Sequence, residues 1–205
     1  MNLLCCCIIE TRAILNLYEI IKHHMDKLPS YTKLIIYHSD ATAYLKEKFP
    51  SAIFVQISND FNIHNYNALL TSASFWSKFL EYHRVLIFQS DSMLLREGIN
   101  EFMQWDFIGA NWAWNKDYAG NGGLSLRNPK VMYEICIKYP RNSSINEDHH
   151  ICMVMYEYKI GNLAPIEVAK TFSAEGTPNM GTLGYHAIRK WLSIEECEKI
   201  ENQYN

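Results

Sequence analysis

The sequence predicts an α/β fold: a mostly parallel central sheet flanked by helices. Two observations carry this expectation. Short, solidly apolar runs recur in the first half of the chain, at residues 3–9, 33–37, 52–57 and 84–88. Between them lie stretches with apolar residues at helical spacing, such as Ile14, Leu17, Tyr18, Ile21 and Met25. Strands without polar alternation are buried on both faces, the condition of a parallel sheet covered by helices.

The elements follow in order. The run at 3–9 reads as a buried strand. The helix through Ile14 and Met25 ends at Pro29, because proline cannot continue it. A short helix over about 41–48 separates the second and third strands, and a longer one is expected over 65–82. Strand 84–88 runs into Gln89, Ser90 and Asp91. Residues 97–104 read as helical and 107–111 as a strand. Three glycines open the stretch 120–127, which continues as an alternating strand. Helices are expected from Pro129 to Lys138 and over 147–159. Short extended pieces and a glycine-spaced loop should follow Gly161, then a last helix from about Ser193.

With 205 residues the chain is expected to be one domain, at roughly 150 residues per domain. A 48% hydrophobic, 20% charged composition excludes intrinsic disorder. A net charge of −3 without clustered Lys and Arg speaks against nucleic acid as a partner. The longest apolar run is too short to span a bilayer and has no basic flank, so neither a transmembrane segment nor a signal peptide is expected. Six cysteines include three in a row, Cys5, Cys6 and Cys7, inside an apolar strand, and no CxxC occurs. They read as free thiols in a cytoplasmic or other reducing compartment.

In open sheets of this kind ligands bind beyond the C-terminal ends of the strands. Four stretches there carry chemistry. Gln89 and Asp91 follow a buried strand. Residues two apart on a strand point the same way, so both would face one ligand, with Asp91 either capping a turn or holding a divalent cation. Asn121, Gly122 and Gly123 form either a tight turn or a backbone cradle. Glu147 and Asp148 open a helix, where they either favour the helix dipole or supply a general base. His186 follows a glycine-rich stretch, a plausible ligand loop.

Taken in order, these stretches resemble a GT-A glycosyltransferase. More narrowly the chain resembles DUF5672, a family of domains read as glycosyltransferases. The resemblance rests on residues 88–92, 107–112, 120–127, Glu147-Asp148, 172–175 and Gly184-Tyr185-His186, and runs from the first strand to about Trp191. It implies a GT-A, Rossmann-like nucleotide-sugar-binding fold that moves a sugar from a nucleotide-diphosphate sugar, a UDP-sugar by preference, to a hydroxyl of a glycan or other acceptor. It implies a divalent cation, Mn²⁺ or Mg²⁺, on Asp91 and His186. Gln89 stands where the family's D-x-D motif begins. Thr11, Arg12, Gln89 and Ser90 would meet the nucleotide, and Asn121, Gly122 and Gly123 the donor sugar or acceptor. Asp148 would be the base of an inverting transfer and Glu147 its companion at the helix start. A non-catalytic nucleotide-sugar-binding module is the alternative. A nucleotidyltransferase is less favoured, because no glycine-rich loop follows the first strand.

Overall fold

The computed structural model describes residues 3–204. Its elements are β1 (Leu4–Glu10), α1 (Leu17–Lys27), β2 (Lys33–His38), α2 (Leu45–Lys48), β3 (Ile53–Gln56), α3 (Ile63–Leu70), α4 (Ala73–Trp76), β4 (Arg84–Phe88), β5 (Ser92–Leu94), β6 (Phe107–Gly109), β7 (Leu124–Arg127), α5 (Pro129–Lys138), α6 (Glu147–Tyr158), α7 (Ile166–Phe172), β8 (Ser173–Ala174), β9 (Gly184–His186), α8 (Ile188–Trp191) and α9 (Ile194–Glu201). Single 3₁₀ turns lie at Asp40–Thr42, Ser77–Phe79 and Ile99–Phe102.

The main sheet has the strand order β3-β2-β1-β4-β7-β6. β1 pairs in parallel with β2 and β4, and β2 with β3. β7 runs antiparallel to both β4 and β6. The sheet is therefore mostly parallel with one reversed strand. That reversal brings the chain entering β7 to the C-terminal end of β4, where Gln89 N donates to the Gly123 carbonyl at 2.9 Å. A second, three-stranded sheet has the order β5-β9-β8 and carries His186 on its middle strand.

Burial on both faces explains β1. Leu4, Cys6 and Ile8 pack with Leu17 and Ile21 of α1 on one side. Cys5, Cys7 and Ile9 pack with Tyr66, Phe75, Trp76, Met132 and Ile151 on the other. A small thiol fits where helices lie close on each face. Burial also pushes the pKa values of Cys5, Cys6 and Cys7 upward, so these thiols stay protonated and unreactive. All six cysteines are unpaired. Among the described residues no helix is long and apolar enough to cross a membrane.

Several local expectations are corrected. The helix expected over 65–82 is interrupted after Leu70. Thr71 closes the helix on the Asn67 carbonyl through both N, at 3.2 Å, and Oγ1, at 2.7 Å, and Ser72 then turns extended before α4. The helix over 41–48 is a 3₁₀ turn followed by the four residues of α2, and 97–104 holds only a 3₁₀ turn. The first helix starts at Leu17, after Asn16 in the left-handed region at φ 60°, and Ile14 precedes it. Strand β6 stops at Gly109. β7 is buried at every position rather than alternating. Beyond Gly161 the chain forms α7 where extended pieces were expected. Only Ala169 and Phe172 of its seven residues are buried, too few to show a period.

Candidate active site

The site grows from the end of β4. Gln89 and Asp91 do not lie on the strand, which ends at Phe88; they sit in a turn closed by Ser92 N donating to the Gln89 carbonyl at 3.1 Å. The turn still aims both side chains at one group. β5 pairs with β9 so that Ser92 faces His186, and Ala187 N donates to the Asp91 carbonyl at 2.9 Å. His186 Nε2 consequently lies 3.3 Å from Asp91 Oδ1 and 3.0 Å from Gln89 Oε1. Nδ1 is 3.2 Å from Glu175 Oε1, an ion-pair contact without hydrogen-bond alignment. Burial alone would lower the imidazole pKa, but Asp91 and Glu175 outweigh it and raise it to about 9. The hydrogen bond from His186 in turn holds Asp91 below the usual carboxylate range. A side chain at Gly123 would strike the imidazole ring, so glycine is required there.

The acidic pair opens α6. Glu147 is buried and does not cap the helix. It takes a bidentate ion pair from Arg127, at 2.6 Å from Nη1 and 2.9 Å from Nη2. Arg127 is itself fully buried, bonded through Nε to Ser125 Oγ at 2.9 Å and lying 4.6 Å over the Phe107 ring. A side chain at Gly122 would run into Glu147 Oε1 and the Arg127 guanidinium. Asp148 is the member that accepts backbone N–H groups, from Gly122 at 2.9 Å and His149 at 2.7 Å. The helix dipole alone would keep Asp148 ionised. Instead burial, followed by the Glu147 charge, raises its pKa to about 6, and the two N–H bonds only partly oppose this.

Thr11, Arg12 and Ser90 form a neighbouring cluster around Glu10, which the sequence reading passed over. Glu10 accepts from Thr11 N, Arg12 N and Arg12 Nε near 2.9–3.0 Å, and Ser90 Oγ donates to it at 2.9 Å. Arg12 Nη2 reaches Glu10 Oε2 at 2.7 Å and Ser90 Oγ at 3.4 Å. Burial disfavours the Glu10 charge, yet Arg12 and Ser90 hold its pKa below the ordinary value. This buried carboxylate pins the ends of β1 and β4 together.

One cavity of about 770 Å³ gathers Gln89, Asn121, Gly122, Gly123, Glu147, Asp148 and His186. Asp91 adjoins it through His186; Thr11, Arg12 and Ser90 lie outside its lining. Glu175 and Arg127 are the site residues without an assigned role in the sequence. Glu175 stood inside the stretch 172–175, and Arg127 at the end of 120–127, where a strand-end cation opposite an unpaired acidic helix start was the available signal.

A divalent cation can be tested against these donors. Among the described residues no group of three or more His, Cys, Asp or Glu is arranged to hold a metal. The donors that converge are one carboxylate oxygen, one imidazole nitrogen and the Gln89 amide oxygen. That set fits a Mg²⁺- or Mn²⁺-like ion that takes its other ligands from substrate phosphates and water, provided the ion displaces the proton His186 Nε2 shares with Asp91 and Gln89. Glu175 lies 3.2 Å from Nδ1, where the carboxylate behind a ligating histidine would sit, but without hydrogen-bond alignment.

The sheet order and the cavity at its carboxyl edge define an α/β protein with a mostly parallel central sheet flanked by helices. The chain belongs to the DUF5672 family, described as "Protein of unknown function (DUF5672)", whose profile matches residues 47–186. The fold is shared with the apo-form glycosyltransferase GlyE of Streptococcus pneumoniae TIGR4, at 10% identity and a TM-score of 0.58 over 94% of this chain and 55% of that one. A second GlyE structure from the same organism aligns at 11% identity over 75% of this chain and 43% of that one, with a TM-score of 0.48. The chain thus spans about half the length of these glycosyltransferases. No curated protein matches it.

Proposed function

We propose that the protein is an inverting, cation-assisted glycosyltransferase, moving a sugar from a nucleotide-diphosphate sugar, with UDP favoured, to an acceptor hydroxyl. The observation that carries this reading is Asp148. It is a carboxylate raised to about 6 in the same cavity as Gln89 and His186. A base with a pKa near the working pH is both largely ionised and able to take a proton.

The residues divide the work. Arg12 and Ser90 lie beside the β4 turn, where Arg12 can donate to a phosphate or a ribose. Asp91 and His186, with Gln89, would hold the cation, and Glu175 sits behind the imidazole. When bound, such a cation stabilises negative charge on diphosphate oxygens as a Lewis acid. Asn121, Gly122 and Gly123 line the cavity in which the sugar ring would sit. Asp148 Oδ accepts the acceptor's hydroxyl proton as that oxygen bonds to the anomeric carbon. The bond from that carbon to the diphosphate oxygen breaks, and its electron pair leaves with the diphosphate. Glu147 remains paired to Arg127 throughout, so the charge beside Asp148 is fixed.

The test is calorimetry of UDP-glucose, UDP-galactose and UDP-N-acetylglucosamine with and without Mn²⁺, followed by NMR of any product. Donor binding with turnover, a product of inverted anomeric configuration and a rate rising through about pH 6 are expected. Donor binding without transfer or hydrolysis would leave a nucleotide-sugar-binding module, a reading that the neutral Gln89 favours. A retained configuration would remove Asp148 as the base of a single displacement.

A further inference from the structure

The cavity has a wall that the proposed chemistry does not use. Trp112 and Trp114, on the loop after β6, stack with ring centroids 5.3 Å apart and planes 24° from parallel. His149 meets both rings edge-on, at 5.9 Å and 5.1 Å. His149 is itself fixed by Tyr118 Oη at 3.1 Å from Nε2. Three aromatic side chains thus hold one another in place, yet Trp114 remains 62% exposed. Trp191, also lining the cavity, is 57% exposed, with the Lys190 ammonium 4.7 Å over its ring. A large ring held rigidly but left in water is unfavourable for the fold alone and suited to a partner with one apolar face and one polar edge.

The surroundings specify that partner. Asn111, Asn121, Asn146 and Ser144 line the same cavity and present amide and hydroxyl groups, donors and acceptors together. At the platform itself Asp148, next to His149, adds negative charge and disfavours an anionic group there, while the cations His186 and Lys190 line the cavity elsewhere. A sugar ring matches this combination: C–H groups on one face for the indole and neutral hydroxyls around its rim. His149 follows Asp148 directly in α6, so the platform stands beside the proposed base rather than beside the Arg12 cluster.

We propose that the Trp112–Trp114 platform is the acceptor subsite and receives the apolar face of an uncharged hexopyranoside. This inference rests on the glycosyltransferase reading for the word acceptor, and on the platform alone for the sugar.

The test is saturation-transfer difference NMR of the intact chain with methyl β-D-galactopyranoside, methyl β-D-glucopyranoside and methyl 2-acetamido-2-deoxy-β-D-glucopyranoside. At least one should receive saturation most strongly at the ring protons of one face. Trp114→Ala should reduce it about fivefold, the size of one aromatic stacking contact, and Trp114→Phe should keep most of it. Circular dichroism establishes that both variants are folded. No glycoside signal in the wild type, or an unchanged signal in Trp114→Ala, overturns the subsite. So does loss of the signal on adding UDP alone, because the platform would then hold the nucleobase. Calorimetry of UDP separates the two readings. Glycoside contact without UDP binding keeps the platform and removes the transfer reaction, whereas UDP binding without glycoside contact does the reverse.

Discussion

Replacing Asp148 by Asn should weaken the reaction and, as pH rises, strengthen the fold relative to wild type. The carboxylate is raised from an ordinary 3.8 to about 6, by burial first and the Glu147 charge second. Folded protein therefore binds more protons at this site than unfolded chain between those pH values. Stability contributed by the site falls as pH rises through that window, and the penalty is complete above about pH 6. At 1.36 kcal/mol per pH unit the gap is worth about 3 kcal/mol. Asparagine carries no charge, and its single oxygen can keep the bond from Gly122 N or from His149 N but not both, a loss that does not depend on pH. The stability of Asp148→Asn relative to wild type should thus rise by about 2–3 kcal/mol between pH 4 and pH 8. Transfer should fall by roughly 10²–10⁴, the usual worth of a general base. Urea unfolding followed by tryptophan fluorescence from pH 4 to 8 reads the first effect, and initial rates at pH 7.5 the second. A variant no more stable at pH 8 than at pH 4, relative to wild type, would refute the burial argument. Unchanged rates would refute the base.

Arg127→Met should cost about 3–5 kcal/mol in the same urea assay, because it strands Glu147 as a buried lone charge. Arg127→Lys should recover only part of this, since an ammonium cannot reproduce the bidentate bond; full recovery would show that charge alone matters. Gly123→Ala should push the imidazole of His186 aside and abolish any Mn²⁺ dependence of UDP binding in calorimetry, and an unaltered Mn²⁺ effect would remove His186 from the cation's shell. Arg12→Ala should weaken donor binding about tenfold, the loss of one charge-assisted hydrogen bond, with much less change in kcat. An unchanged donor Kd takes Arg12 out of the site.

Much of the frame was legible from residues alone because β1, β2 and β4 are buried on both faces, and such strands appear as unbroken apolar runs. The glycines at 122 and 123 stood out in their local glycine-rich stretch, but the side chains that require them, Glu147, Arg127 and His186, did not. What stayed hidden depended on pairing. Arg127 looks like an ordinary strand-end cation until α6 lays Glu147 against it. Glu147 looks like a helix-start acid for the same reason, and so the two acidic roles were drawn from the dipole when burial decides them. Gln89 and Asp91 do share a target, but through a turn rather than the strand geometry that suggested it. The break after Leu70 involves no proline or glycine, only Thr71 and Ser72 bonding locally.

The placement of His186 on β9 has a consequence for how the molecule assembles. The parallel strands β1, β2 and β4 all lie within the first 88 residues and pair directly with one another, although one face of β1 is covered only later by Met132 and Ile151. Asp91 meets its partner only when a segment 95 positions later has returned to β5. Closing so long a loop is entropically costly and contributes to slow folding, so the contact should form after the sheet's centre has condensed. On a ribosome the acidic turn would emerge well before the imidazole that completes it. The nascent chain would then carry an open, incomplete site until synthesis passes His186, so the site is withheld from ligands until β9 has been made.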